Sequence, residues 1–323
     1  MMNDPRAANP ALPLVSIGLP VYNGARHIAQ ALDSLLAQDY PRFELIICDN
    51  ASTDATRAIC EEYAARDRRV AYYRNETNLG AVVNFRRVFD LSSGEFFMWA
   101  GHHDLWEPTF ISQCLNRLLE EPEAVLCFTP LRLIDANGAC LGSYDENLNT
   151  LHLDRLGRLH VVLWRLRWQL GAGATIYGLF RSQALRAVGV AQNTYGADWA
   201  LLAELSLLGP FVTVPEPLFW LRDPHPRTRT QKDQFDALDP ANAQKELSYP
   251  FLSLTRAVVG RIAHARISWW KKPVLILDAL YCLERKFRLH SEVRRACLRW
   301  LPWPGMNRGP SPVSPEKASE PVT

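Results

Sequence analysis

The sequence contains no apolar run near the ~20 residues that a membrane-spanning helix requires. Its longest uncharged stretch near the N-terminus, Ala7 to Ala25, is broken by Pro10, Pro13 and Pro20 and follows no basic excess. An ordinary signal peptide is thereby excluded, and the chain is expected to touch a membrane at most. Its seven cysteines, an odd number, include none of the close pairs of zinc ribbons or redox motifs. A cytoplasmic, reducing location fits, and Cys48 and Cys127, set in apolar runs, read as small core residues. Charge of one sign is also missing: 36 Lys and Arg face 34 Asp and Glu, leaving +2. That balance gives no case for nucleic acid as a partner. The first strand-to-helix turn lacks Gly-x-Gly-x-x-Gly, which argues against a dinucleotide oxidoreductase.

What is present is a globular balance, 48% apolar and 22% charged over 323 residues. The first hundred residues alternate short apolar runs with helical periodicity, as a parallel sheet with crossover helices does. Leu14 to Leu19, Glu44 to Cys48, Val70 to Tyr73 and Phe96 to Trp99 read as strands. Between them, Ile28, Ala31, Leu32, Leu35 and Leu36 mark one helix, and others run through Ile59 and Tyr63 and over Val82 to Phe89. Ser52, Thr53 and Asp54 supply oxygens able to cap the second helix. In such sheets ligands bind outside the carboxyl ends of the strands, so the loops after Leu19, Cys48 and Trp99 become neighbours. Farther on, Phe110 to Leu119, Ser182 to Val188 and Trp199 to Leu208 read as helices, and Asn137-Gly138 as a hairpin turn. From Thr255 to Pro310, twelve Lys or Arg face three acids.

Val15-Ser16-Ile17-Gly18-Leu19-Pro20-Val21-Tyr22-Asn23-Gly24, followed by Cys48-Asp49-Asn50-Ala51-Ser52-Thr53-Asp54, resembles the opening of glycosyltransferase family 2. The resemblance runs through Trp106 and more weakly to about Arg229. It implies a GT-A fold: a Rossmann-like, mainly parallel sheet flanked by helices, here with a C-terminal helical extension. It also implies an inverting hexosyl-type transferase that moves sugar from a nucleoside-diphosphate sugar to a saccharide or lipid-linked hydroxyl acceptor, in cell-surface polysaccharide or glycoconjugate synthesis. The expected division is an N-terminal tail at 1–12 and a transferase domain at 13–230, with a nucleotide half at 13–106 and an acceptor half at 107–230. A basic helical extension at 231–301 and a disordered tail at 302–323 follow.

By that resemblance Pro20, Tyr22 and Asn23 wrap the nucleoside base, although Pro-x-x-Asn-Gly is also simply a turn. Asp49 matches the carboxylate that accepts the imide N–H of uracil or thymine; a turn or capping role is its plain alternative and suits Asp54 better. Asn78 and Asn84 are read as capping and core groups. In the loop Gly101-His102-His103-Asp104 the family usually carries Asp-x-Asp to hold a divalent cation, Mn²⁺ or Mg²⁺, against the leaving diphosphate. Only Asp104 remains. His102 and His103 are open to three readings: ribose contact, nitrogen ligation favouring manganese, or a degraded site in a nucleotide-sugar-binding protein that has lost catalysis.

Asp198, in Tyr195-Gly196-Ala197-Asp198-Trp199, matches the base that takes the acceptor's proton; a helix N-cap is the alternative. Gly171 to Thr175 and the following Ile176 to Phe180 resemble the acceptor-side strand. His225 is a candidate metal ligand and Arg222 a candidate diphosphate partner. A sugar-nucleotide pyrophosphorylase would carry a Gly-rich basic loop after the first strand, and Pro20 to Asn23 offers none. Trp269, Trp270, Lys271 and Lys272 place rings beside cations, as segments docking on an anionic membrane do; packing on the transferase domain is the alternative.

Overall fold

Val15 to Val21 is buried at every position, as expected of a strand covered on both faces by helices. In the computed structural model, which describes residues 12–145, 148–165, 173–190, 196–222 and 250–287, this strand (β1) lies inside a seven-stranded sheet. It pairs in parallel with β2 (Phe43–Asp49) and β4 (Phe96–Trp99), and β2 pairs in parallel with β3 (Val70–Arg74). Three crossover helices, α1 (Ile28–Leu36), α2 (Thr56–Arg66) and α3 (Ala81–Asp90), connect them. Ile28, Ala31, Leu32 and Leu35 form the buried face of α1 at the spacing that the sequence shows.

Pro20 lies within β1, where a central strand would need its missing N–H. The register resolves this: pairing with β4 ends at Gly18, and beyond it β1 runs along β2 alone. Gly18 is where α3 comes close, since a Cβ there would meet Val88 and Phe97 side-chain atoms at 2.7–3.0 Å.

Past β4 the chain makes β5 (Leu105–Trp106), α4 (Phe110–Glu120), β6 (Leu126–Phe128), β7 (Leu131–Ile134) and β8 (Cys140–Tyr144). Then come α5 (Arg155–Arg165), α6 (Gly173–Ile176), β9 (Leu179–Arg181), α7 (Ser182–Val188), α8 (Ala197–Leu208), β10 (Phe211–Thr213) and β11 (Phe219–Arg222). The large sheet has the order β10-β6-β9-β4-β1-β2-β3, with β9 antiparallel to both its neighbours. A smaller sheet, β5-β11-β7-β8, includes the hairpin at Asn137-Gly138, where Gly138 takes φ +91°. The expected acceptor-side strand over Ile176 to Phe180 needs correction. Gly173–Ile176 is helical and the strand begins at Leu179; the β-forming Ile176 and Tyr177 suggest the earlier start, but such propensity yields to tertiary context.

Two further helices, α9 (Pro250–His264) and α10 (Lys272–Phe287), are joined by a 3₁₀ turn at Trp269–Lys271. They pack on α8 and α5. Leu254, Val258, Ile262, Leu275, Ala279 and Leu283 enter the same apolar cluster as Trp199 and Leu202 of α8. A buried ion pair, Arg261 Nη1 to Glu204 Oε2 at 2.5 Å, fastens α9 to α8. Packing on the domain, one of the two alternatives for the basic segment, is therefore how these helices sit. No described helix is long and apolar enough to cross a membrane.

Candidate donor site

The loop after β1 is bonded to the loop after β2. The Asn23 backbone N–H donates to Ser52 Oγ, that of Gly24 to Thr56 Oγ1, and that of Ala25 to Asp54 Oδ2, at 2.8–3.0 Å. In return Asn23 Oδ1 accepts from the Thr53 N–H at 2.8 Å. Asn23 holds this turn with φ +50°, a conformation that Asn tolerates better than most residues. Asp54 also accepts from the N–H of Thr56, the first residue of α2, at 3.0 Å, although the N-cap position itself is Ala55. Tyr22, between these bonded residues, is 44% exposed and presents its ring at the surface.

Asp49 ends β2 completely buried. Its Oδ1 accepts the Ser52 N–H at 2.8 Å, and its Oδ2 accepts the Tyr72 hydroxyl at 2.8 Å and Arg74 Nη1 at 2.6 Å. Burial raises the carboxyl pKa, but these hydrogen bonds outweigh burial and hold it below the ordinary carboxylate value. Beside it, Asn50 is a hub. Its Nδ2 donates to Asn78 Oδ1 at 2.7 Å and to the Gly80 carbonyl at 3.2 Å, while its Oδ1 accepts from Asn75 Nδ2 and from the Leu79 N–H. Asn84 Nδ2 donates to the Cys48 carbonyl at 2.7 Å. Asn84 is thus a buried core group, whereas Asn78 does not cap α3, whose N-cap is Gly80 without a side-chain cap; its Oδ1 accepts from the Gly80 N–H at 2.9 Å instead. Nothing local marks Asn50 as the residue that gathers them, because a motif match registers Asn for Asp only as a mismatch.

The loop after β4 is anchored by the Ala100 N–H to the Gly18 carbonyl at 2.9 Å and closed by Asp104. The Asp104 side chain is wholly buried. Its Oδ1 accepts the Arg222 backbone N–H at 2.9 Å, with His103 Nε2 at 3.6 Å. Its Oδ2 has no hydrogen-bond partner among the described residues. It lies so close to Gly101 that a Cβ there would stand 2.1 Å away. Burial pushes this carboxyl up to about 7, against the opposing pull of Arg222. A buried carboxylate oxygen without a proton donor, beside an imidazole, fits a divalent cation. His102 lies against the first loop, since a Cβ on Gly24 would meet its Cδ2 at 2.7 Å. The two imidazoles pack edge to face, centroids 4.8 Å apart.

Arg222 ends β11 with its guanidinium donating to the carbonyls of His103, Asp135 and Ala136 and to Gln30 Oε1, at 2.8–3.3 Å. Its suggested contact with a diphosphate has to compete with these bonds, which brace the His103-Asp104 loop. Gln30 was absent from the sequence reading, and so was His27. The imidazole of His27 has its pKa lowered first by burial and then by the charge of Arg222. Neither carries a local motif; only a contact made across 192 residues brings Gln30 to the loop. Asp198 corrects its alternative reading. The residue capping α8 is Gly196, at φ +67°, and Asp198 is the second helical residue, with Oδ1 accepting its neighbour Trp199 N–H at 2.9 Å. Tyr195 and His225 lie outside the described residues, as does Cys297.

Residues 16–160 match the family described as Glycosyl transferase family 2. An uncharacterized glycosyltransferase of Rickettsia typhi is 36% identical over 124 residues, which cover 38% of this chain and 38% of that protein. A putative teichuronic acid biosynthesis glycosyltransferase of Bacillus subtilis, TuaG, is 30% identical over 142 residues, 44% of this chain and 56% of that one. The match thus spans about two fifths to just over half of these relatives' own length. Among solved structures, residues 1–349 of Staphylococcus aureus TarS with UDP-GlcNAc give a TM-score of 0.64 at 16% identity, over 89% of this chain and 77% of that one. A mannosyltransferase of Pyrobaculum calidifontis with GDP-Man and Mn²⁺ gives 0.56 at 16% identity, over 93% and 78%. These likenesses show the GT-A fold. The stretch that matches Glycosyl transferase family 2 takes in the parallel β1–β4 unit and the loops built on it.

Proposed function

We propose that the protein is an inverting glycosyltransferase that moves a sugar from a nucleoside-diphosphate sugar onto a hydroxyl of a saccharide or lipid-linked acceptor. Cell-surface polysaccharide or glycoconjugate synthesis is the setting, and the cytoplasmic face of a membrane the place. The observation that carries this reading is the buried Oδ2 of Asp104, without a partner among the described residues, in a loop adjoining the turn that carries Tyr22 and Asn23. In this reading Tyr22 offers its exposed ring to the base, and Asp49, with Pro20 and Asn23, forms the base pocket. Asp104 would hold a divalent cation with His102, His103 and His225. When bound, the cation supplies Lewis-acid stabilisation of the leaving diphosphate. Imidazole ligands turn the preference toward Mn²⁺, the ion present in the Pyrobaculum calidifontis structure.

Asp198 takes the proton of the acceptor hydroxyl as its oxygen attacks the anomeric carbon opposite the diphosphate. Inversion follows from that in-line geometry. The test is Asp198→Asn, for which transfer is expected to fall about 10²–10⁴-fold with donor affinity and thermal stability unchanged. Near-normal transfer would remove the base from Asp198. A donor screen by thermal shift, with uridine, thymidine and guanosine diphosphate sugars and either metal, identifies the nucleoside. The competing reading, a nucleotide-sugar-binding protein without catalysis, is favoured by the loss of two loop carboxylates to His102 and His103. Donor binding without turnover would establish it.

The membrane contact also belongs to this proposal. Trp269 and Trp270 are 80% and 60% exposed, and Val274, Leu277 and Tyr281 continue an exposed apolar stripe along α10 beside Lys271 and Lys272. Because α9 and α10 share the domain's core, point variants are the fair test. Trp269→Ala with Trp270→Ala should lose cosedimentation with anionic vesicles while remaining folded.

A further inference from the structure

His160 on α5 and Asp278 and Cys282 on α10 bring three metal-ligating atoms within 4.8 Å of one another. Neither helix carries a residue of the donor site. Asp278 and Cys282 are four residues apart and so share one face of α10, the face turned to α5. His160 Nδ1 is 2.8 Å from Asp278 Oδ1 and 3.5 Å from Cys282 Sγ. Such a contact could be ordinary packing of a histidine against an acid. Two further observations point to a ligand. Asp278 Oδ2 is buried with no hydrogen-bond partner among the described residues, although the side chain as a whole is 19% exposed. The imidazole is also held in orientation, its ring stacked on Trp164 at 5.9 Å and 10°, and Trp164 stacked in turn on Tyr281 at 6.4 Å and 9°.

The donor set selects the metal. A thiolate and an imidazole suit a borderline-soft ion and not Mg²⁺ or Ca²⁺. Tetrahedral zinc, with bonds of about 2.3 Å to sulfur and about 2.0–2.1 Å to nitrogen and oxygen, places sulfur and nitrogen about 3.6 Å apart and nitrogen and oxygen about 3.4 Å apart. The Sγ–Nδ1 separation of 3.5 Å already meets that requirement. The Nδ1–Oδ1 contact of 2.8 Å has to open, and the unpartnered Oδ2 is a second carboxylate oxygen able to bind instead.

We propose that His160, Asp278 and Cys282 form a zinc-binding site that ties α10 to α5, with water in the fourth position. On binding, the Cys282 thiol releases its proton to solvent and the sulfur lone pair joins the metal. His160 turns its Nδ1 lone pair to the ion with its ring proton on Nε2, and the Asp278 carboxylate exchanges its hydrogen bond for a metal bond. The site secures the helix that bears the exposed aromatic stripe, and it acts independently of the cation at Asp104.

The test uses the full chain, stripped with chelator and loaded with Co²⁺, whose bonds to thiolate give an intense near-ultraviolet charge-transfer band that oxygen ligands do not. Wild type and Asp104→Ala are expected to show this band at about one thiolate site per chain, and so is Cys140→Ser, which removes the exposed cysteine. Cys282→Ser and His160→Gln are expected to lose it, with circular dichroism confirming that they fold. Zn²⁺ should raise the melting temperature of wild type and Asp104→Ala but not of His160→Gln. Should Cys282→Ser fail to fold, His160→Gln, at a part-exposed position, carries the test alone. No thiolate band in wild type, or a band undiminished in His160→Gln, overturns the proposal.

Discussion

Replacing Asp49 by Asn tests whether the bonds at the end of β2 have the weight that the geometry gives them. The carboxylate is wholly buried and accepts three hydrogen bonds, one at Oδ1 and two at Oδ2. An amide in the same place has one acceptor oxygen and an NH₂ group. If the NH₂ takes the Oδ2 position it faces Arg74 Nη1, which can only donate; if it takes the Oδ1 position it faces the Ser52 N–H, which also only donates. Tyr72 can turn its hydroxyl to accept, but neither orientation escapes a conflict between donors. The loss of one charge-assisted bond is worth about 1.5–3 kcal/mol and a buried donor left unpaired about 1–3 kcal/mol. Relaxation at the part-exposed Arg74 offsets some of that, so Asp49→Asn should cost about 2–4 kcal/mol.

Tyr72→Phe, which leaves Arg74 and Ser52 in place, should cost about 1 kcal/mol. Urea unfolding at constant m-value measures both. The pH dependence supplies an independent check. Because the folded pKa of Asp49 lies below its ordinary 3.8, its contribution is complete above the unfolded pKa and is lost as pH falls through the folded value. The gap between wild type and Asp49→Asn should therefore be flat from neutral pH to about 5 and shrink below about 4. A cost under about 0.5 kcal/mol, within the range of inconsequential surface substitutions, or a gap that stays constant down to pH 3, would refute the reasoning.

Gly101→Ala would press a methyl group to 2.1 Å from Asp104 Oδ2. Its expected cost is about 1–3 kcal/mol, accompanied by loss of the metal-dependent, donor-induced rise in melting temperature. Asn50→Asp removes the amide that donates to Asn78 and Gly80 and should cost about 2–4 kcal/mol. The Leu79 N–H keeps its acceptor, since a carboxylate retains that oxygen, so amide exchange should quicken more at Gly80, whose N–H is held by the released Asn78 Oδ1. His102→Asp together with His103→Asp should lower the ratio of manganese-supported to magnesium-supported transfer; an unchanged ratio would take both histidines out of metal selection.

The strands and helices of the first hundred residues could be read because each is written locally, as a buried apolar run or a helical stripe. Elements that depend on distant partners could not. β5 has two residues and exists because Trp106 and Leu105 meet Phe219 and Trp220. α5 keeps Leu159, Val162 and Leu163 inward at helical spacing, but arginines and a histidine between them dilute the signal. The candidate site divides in the same way. Tyr22, Asn23, Asp49 and Asp104 are visible as motif positions. The braces around them, Arg222 to the His103 carbonyl across 119 residues and Asn75 to Asn50 across 25, belong to no motif.

The two sides of that site differ in what they leave undone. Around the carboxyl end of β2 every oxygen of Asp49 and of the Asn23 and Asn50 side chains is engaged within the protein. That side is preformed, so a nucleoside bound there as proposed would lose little of its affinity to ordering the loops. At the loop after β4, Asp104 is held by one backbone N–H and its Oδ2 has no partner among the described residues, in a place where burial favours the neutral acid. An unmet buried acceptor is unfavourable in the free protein and is relieved by positive charge. On the proposed reading, this difference between the two halves would make the affinity for a nucleoside diphosphate depend on a cation, while the recognition of its base would not.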